Sequence, residues 1–76
     1  MIEDHRRREL TIIHNEFEYH IYVRNNIVGM HIYVNNLNAD FVAFIEGFKN
    51  IMNRIRPFAT HEELTIVEKF MFELQI

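Results

Sequence analysis

The sequence has no cysteine and no tryptophan, one proline and two glycines. Without cysteine there can be no disulfide, no thiolate metal site and no cysteine nucleophile. Gly29 and Gly47 stand alone, so neither a phosphate-cradling loop nor a nucleophile elbow is present. Gly29 reads instead as a gap beside Tyr22, and Gly47 as a close-packing point on a helix. No apolar run approaches the roughly 18 residues that a membrane helix needs. The opening residues, from Met1 through Arg6-Arg7-Arg8 to Glu9, lack the apolar stretch of a signal peptide. The expected setting is the cytoplasm, with no membrane partner. A dominant charge sign is missing too: residues 1–38 carry 4 basic and 5 acidic side chains, and residues 39–76 carry 4 and 6. Neither half has the composition of a nucleic-acid surface.

What is present is apolar and aromatic. With 49% hydrophobic residues and a net charge of −3, the chain belongs among folding sequences rather than disordered tails. Its 76 residues suffice for one domain, assigned to residues 9–76, after a solvated arm at residues 1–8 that lacks apolar periodicity. A core this small, without disulfide or metal, has little stability to spare. That favours self-association, a partner, or a dense core of Phe, Ile and Leu.

Alternation is the first strong pattern. Phe17, Tyr19, Ile21 and Val23 alternate with Glu18, His20 and Arg24, interrupted only by Tyr22; Val28, Met30, Ile32 and Val34 alternate with Gly29, His31 and Tyr33. Asn25-Asn26 separates the two runs, and asparagine tolerates the positive φ of a two-residue hairpin turn. This turn sets Val23 opposite Val28, Ile21 opposite Met30, Tyr19 opposite Ile32 and Phe17 opposite Val34, so that one face is wholly apolar. Upstream, a His14-Asn15 turn would pair Ile12 with Phe17 and Leu10 with Tyr19. The expectation is a three-stranded antiparallel meander.

Further on, Asn38 reads as an N-cap with Asp40 in the first turn. Phe41, Phe44, Ile45, Phe48, Met52 and Ile55 then follow at offsets of 3, 4, 7, 11 and 14, one helical face. Pro57 ends that helix. The last segment supports two readings. Phe70, Phe72, Leu74 and Ile76 alternate as in a strand, whereas Thr60 and Glu63 form a capping-box signature with Leu64, Ile66, Val67, Phe70, Met71 and Leu74 on one helical arc. The unbroken alternation at the chain end favours the strand. The expected architecture is α+β: the meander, one covering helix and a fourth strand, with three strands plus two helices as the alternative.

The meander places His20 opposite His31 on the uncovered face, with Glu9 flanking His20 and Glu18 near Tyr33 and Thr11. Two opposed imidazoles beside a carboxylate, His20, His31 and Glu9, are weak candidates for a divalent metal. A solvated or partner-covered polar sheet face is the stronger reading of these residues, and no cofactor is expected. Tyr22, Tyr33, Ile27 and Met71 fall on the same side, giving it the Tyr- and Met-rich composition of a binding interface. The function expected is therefore a non-catalytic protein-interaction module. Its most concrete form is a small inhibitor, immunity or anti-defence protein of a mobile element that binds a protein partner and forms a homodimer. From Gly29 to Ile76 the chain has the rhythm of small immunity-type domains, without a residue diagnostic of a family.

The competing class is a nucleic-acid-associated regulator using Arg6-Arg7-Arg8, a basic run bracketed by Glu3, Asp4 and Glu9, which cancel much of its field within a Debye length. Three arginines neutralise few phosphates. Filter binding at rising salt should accordingly show only weak, sequence-independent binding, lost by physiological salt and absent when Arg6, Arg7 and Arg8 are changed to alanine. Submicromolar affinity for one DNA or RNA sequence at physiological salt would promote the regulator over the protein-binding module.

Overall fold

Three asparagines set the two tight turns of the N-terminal half. In the computed structural model, which describes residues 9–74, strands β1 (Glu9–His14), β2 (Phe17–Arg24) and β3 (Ile27–Val34) are joined by two-residue turns. Asn15, Asn25 and Asn26 adopt φ of 57°, 56° and 63°, the left-handed region where a short polar side chain costs least. The β2–β3 pairing places Phe17 opposite Val34, Tyr19 opposite Ile32, Ile21 opposite Met30 and Val23 opposite Val28, the register expected from the Asn25-Asn26 turn. The β1–β2 pairing differs. Its turn is Asn15-Glu16, so Ile12 meets Tyr19 and Leu10 meets Ile21, two residues along from the expected partners. A two-residue shift keeps every side chain on its face, and the core is unaffected.

The larger correction concerns residues 41–46. They form a strand, β4 (Phe41–Glu46), at the edge of a four-stranded antiparallel sheet of order β1-β2-β3-β4, not the start of a helix. A β-bulge between Ile32 and Tyr33 of β3 and their partners causes the misleading period: Tyr33 pairs with Phe41 and Ile32 with Ala43, leaving Val42 as the extra residue. Phe41 and Phe44 are thereby three residues apart on one sheet face, a spacing that in sequence reads as helical. Asn38 caps nothing; Asn36 orders the β3–β4 loop, its Oδ1 accepting from the Asn38 and Ala39 N–H groups at 2.9 and 2.7 Å.

Gly47 separates strand from helix. Its φ of 103° lies outside the helical region, its N–H donates to the Val28 carbonyl at 2.9 Å, and its carbonyl accepts from Ile51 at 3.0 Å. One residue thus closes the sheet and opens α1 (Phe48–Ile55), which buries Ile51, Met52 and Ile55 and carries Arg54 in its last turn, where a cation opposes the helix dipole. The chain turns at Pro57, as expected, and continues as α2 (His61–Leu74) rather than as the favoured fourth strand. The capping box decides this: the Thr60 N–H donates to Glu63 Oε1 at 2.9 Å, and the Glu63 N–H donates to Thr60 Oγ1 at 3.1 Å. The α+β class stands, with the two-helix alternative describing the chain end.

Both helices lie on one face of the sheet. Helix α1 packs on β3 and β4, and α2 on β1, β2, β3 and α1. Between them sit Ile21, Met30, Ile51, Ile55 and Val67, all essentially inaccessible. Phe58, after Pro57, closes one side by stacking on His14 at 4.2 Å and leaning on Tyr19 at 4.8 Å. Among the described residues no helix is long and apolar enough to cross a membrane.

The helical C-terminal segment separates two phenylalanines that a strand would place on one face: Phe70 is buried and Phe72 is 67% exposed. Phe70→Ala should lower the unfolding free energy by about 3 to 5 kcal/mol, a large share of the stability of a small domain. Phe72→Ala should stay within about 0.5 kcal/mol of the parent in urea denaturation. Equal losses would restore the strand.

Candidate functional site: the open face of the sheet

Because the helices take one face, the alternate residues of each strand are left on the other. Three rows cross the sheet there. Glu9, Tyr22, Gly29 and Glu46 form the first; Thr11, His20, His31 and Phe44 the second; Ile13, Glu18, Tyr33 and Phe41 the third. Four of the residues expected on this face, Tyr22, Tyr33, His20 and His31, lie at its centre, and Ile27 is on its margin, 42% exposed. Met71 is not there: it lies on α2, on the helical side of the sheet, because the last segment is a helix. Glu9 does not flank His20 as expected but sits opposite Tyr22, a consequence of the shifted β1–β2 register, and Thr11 takes the place opposite His20. Arg6, Arg7 and Arg8 lie outside the described residues.

His20 and His31 are direct cross-strand partners, yet each ring pairs with a diagonal neighbour. The His20 ring meets the edge of Tyr33 at 5.0 Å, and the His31 ring stacks on Tyr22 at 5.2 Å with 21° between planes. His20 Nε2 lies 2.9 Å from Glu18 Oε1, a hydrogen bond when that nitrogen carries the proton. This arrangement turns each imidazole toward an aromatic ring on the neighbouring strand, and His20 also toward Glu18 on its own strand. Among the described residues no three His, Asp or Glu side chains converge in a way that could hold a metal ion.

His31 is the hub of the face. Besides Tyr22, its ring lies 5.0 Å from Phe44, 5.9 Å from Phe41 and 6.1 Å from Tyr33, and Tyr33 in turn meets Phe41 edge-on at 5.9 Å. Six rings therefore form one connected cluster across β2, β3 and β4, at the separations where tilted and edge-on pairs are attractive. Gly29 makes room for one of them. A Cβ there would come within 2.9 Å of the Tyr22 Cζ and hydroxyl oxygen, so the tyrosine lies flat over the glycine backbone. The Arg24 guanidinium stands 5.4 Å from the Tyr22 ring centroid, in cation–π range. A shallow depression of about 280 Å³, lined in part by Glu9, Thr11, His20, Tyr22 and Arg24, lies on the β1 side of this cluster.

Phe41, Phe44 and Glu46 are the members of the face that the helical reading concealed. Phe41 and Phe44 remain 58% and 48% exposed, and Val42 at the bulge 47%. Their signal in the sequence is a run of strand formers, Phe41-Val42-Ala43-Phe44-Ile45, ended by a glycine that would weaken a helix interior. Such a face holds rings in fixed positions and offers carboxylates at its margin. Compared with family models, with curated proteins and with solved structures, the chain matches none.

Burial pushes the Tyr22 hydroxyl above its ordinary pKa; Arg24 opposes the shift, and Glu46 and Tyr33 add to it. A phenol that ionises less readily when folded contributes stability present below its unfolded pKa, about 10, and lost as pH rises beyond it. Chemical denaturation at a series of alkaline pH values should therefore show stability falling above about pH 10, and Tyr22→Phe should make that fall shallower. An unchanged slope in Tyr22→Phe would mean that this ring is not held as described.

Proposed function

We propose that this chain is a non-catalytic protein-interaction module that docks a protein partner on the open face of its sheet. The observation that carries the reading is the six-ring cluster centred on His31, partly exposed on a face that no element of the described chain covers. Aromatic residues supply large contact area at low entropic cost, and rings already fixed by one another lose little freedom on binding. The hairpin beneath them has its register set by the Asn25-Asn26 turn. A small inhibitor, immunity or anti-defence protein of a mobile element, acting in the cytoplasm, fits such an architecture: one domain, no dependence on a disulfide that a reducing compartment would cleave, and one prepared surface.

Self-association is a second reading, favoured by β4. This strand pairs with β3 on one side only, carries Phe41, Val42 and Phe44 exposed, and contains neither the lysine nor the proline that commonly guards an edge. A homodimer joined there would extend the aromatic face across two copies.

The test compares baits in a lysate of the native host. A protein retained by the wild-type chain should be lost with Tyr33→Ala/Phe44→Ala and kept with Phe72→Ala, a change on the helical side, and the same difference should appear when that protein is purified and titrated. Circular dichroism melts confirm that the variants fold. Retention of nucleic acid alone, or equal capture by the open-face variant, would overturn the reading. Sedimentation equilibrium at micromolar concentration separates the homodimer: a single-chain mass throughout removes self-association and leaves docking of a different protein.

A further inference from the structure

Resting on the docking reading above, we infer that the partner presents a basic surface, and that its arginine or lysine side chains settle on the Tyr22 row between Glu9 and Glu46. The row is unusual in its order. Glu9 of β1 sits opposite Tyr22 of β2, Tyr22 opposite Gly29 of β3, and Gly29 opposite Glu46 of β4. Because the glycine leaves space for the tyrosine ring to lie over it, an aromatic surface occupies the middle of the row and a carboxylate stands on either side.

Each part of that arrangement favours a cation. The face of a tyrosine ring carries the negative end of its quadrupole, and a guanidinium or ammonium within about 6 Å is attracted to it. The chain itself supplies an instance: Arg24 stands 5.4 Å from the Tyr22 centroid. Glu46 lies close enough to Tyr22 to disfavour its ionisation, although the Arg24 guanidinium acts on the same hydroxyl more strongly and in the opposite sense. Counting the third row, the described residues of the face include three carboxylates, Glu9, Glu18 and Glu46, and one guanidinium, Arg24. An apolar partner would strip water from these carboxylates and return nothing, whereas a basic one returns ion pairs at the margin and cation–π contacts at the centre.

The defined probe is a capped hexa-arginine peptide, titrated into the full 76-residue chain at physiological salt and followed by amide NMR, with hexa-glutamate as its counterpart. Hexa-arginine should shift the amides of Glu9, Tyr22, Gly29 and Glu46. Glu9→Gln/Glu46→Gln should weaken its binding by about three- to tenfold, as expected for losing two partly exposed ion pairs. Arg24→Ala, which removes the competing cation, should strengthen it. Glu62→Gln/Glu68→Gln, the same charge change on α2, should leave it unaltered. Equal weakening by the α2 pair, shifts scattered over the helices, or the same response to hexa-glutamate would overturn the inference. The docking reading fails separately. A partner lost with Tyr33→Ala/Phe44→Ala but bound equally well by wild type and Glu9→Gln/Glu46→Gln contradicts the basic partner and leaves docking in place.

Discussion

Two short helices can cover only one face of a four-stranded sheet, and the rest of this molecule follows from that limit. Helices α1 and α2 both pack on the side where Ile21, Met30, Ile32 and Val28 point. Burial of these apolar side chains against Ile51, Ile55 and Val67 is the principal source of stability available to a chain with no disulfide. Among the described residues the opposite face has no second layer to lean on. Its residues therefore pack sideways, ring against ring along the sheet, and the strand pairs beneath them are shielded by Tyr22, His31 and Tyr33 instead of by a helix.

The division between the faces depends on parity, and parity on the turns. A one-residue slip at Asn25-Asn26 would exchange the core set Ile21 and Met30 for the site set Tyr22 and His31, so the fold strongly penalises it. A two-residue slip is another matter. It preserves both faces while changing which side chains are neighbours, and the difference between the expected and observed β1–β2 pairing is of this kind. The core tolerates it, but the open face does not: Glu9 passes from His20 to Tyr22, and a weak metal-binding triad becomes a carboxylate beside an aromatic ring. Site chemistry is more sensitive to register than fold is.

The β2–β3 hairpin was legible because local and long-range signals agree: the asparagine turn and the alternation demand one register. The four-residue centre of the face, Tyr22, Tyr33, His20 and His31, was legible with it. Strand β4 was not, because the bulge at Val42 adds a residue and gives Phe41 and Phe44 a helical spacing within a strand. For α2 the signals conflicted. Alternation through Phe70, Phe72 and Leu74 favours a strand, yet the Thr60–Glu63 capping box satisfies the Thr60 and Glu63 backbone N–H groups and starts a helix. That Phe72 is exposed removes the burial on which the strand reading relied. The two differences have separate sources, a bulge that gives a strand helical spacing and an alternation that a helix happens to share.

Exposed apolar side chains are not errors of folding when their surroundings restrain them. Phe41, Val42 and Phe44 lie on an edge strand, the position most prone to unwanted strand pairing. The bulge at Val42 interrupts the regular ladder there and leaves only Ala43 to Glu46 in uninterrupted pairing with β3, which shortens the template a foreign strand could extend. Charge adds a second restraint. Glu9, Glu18, Arg24 and Glu46 border the rings, so a neutral apolar surface approaching the cluster must desolvate ions without compensation, while one of complementary charge need not. In the proposed docking, the rings would supply adhesion and the border selection. On the docking reading proposed above, such a face would favour a partner whose charges oppose its own.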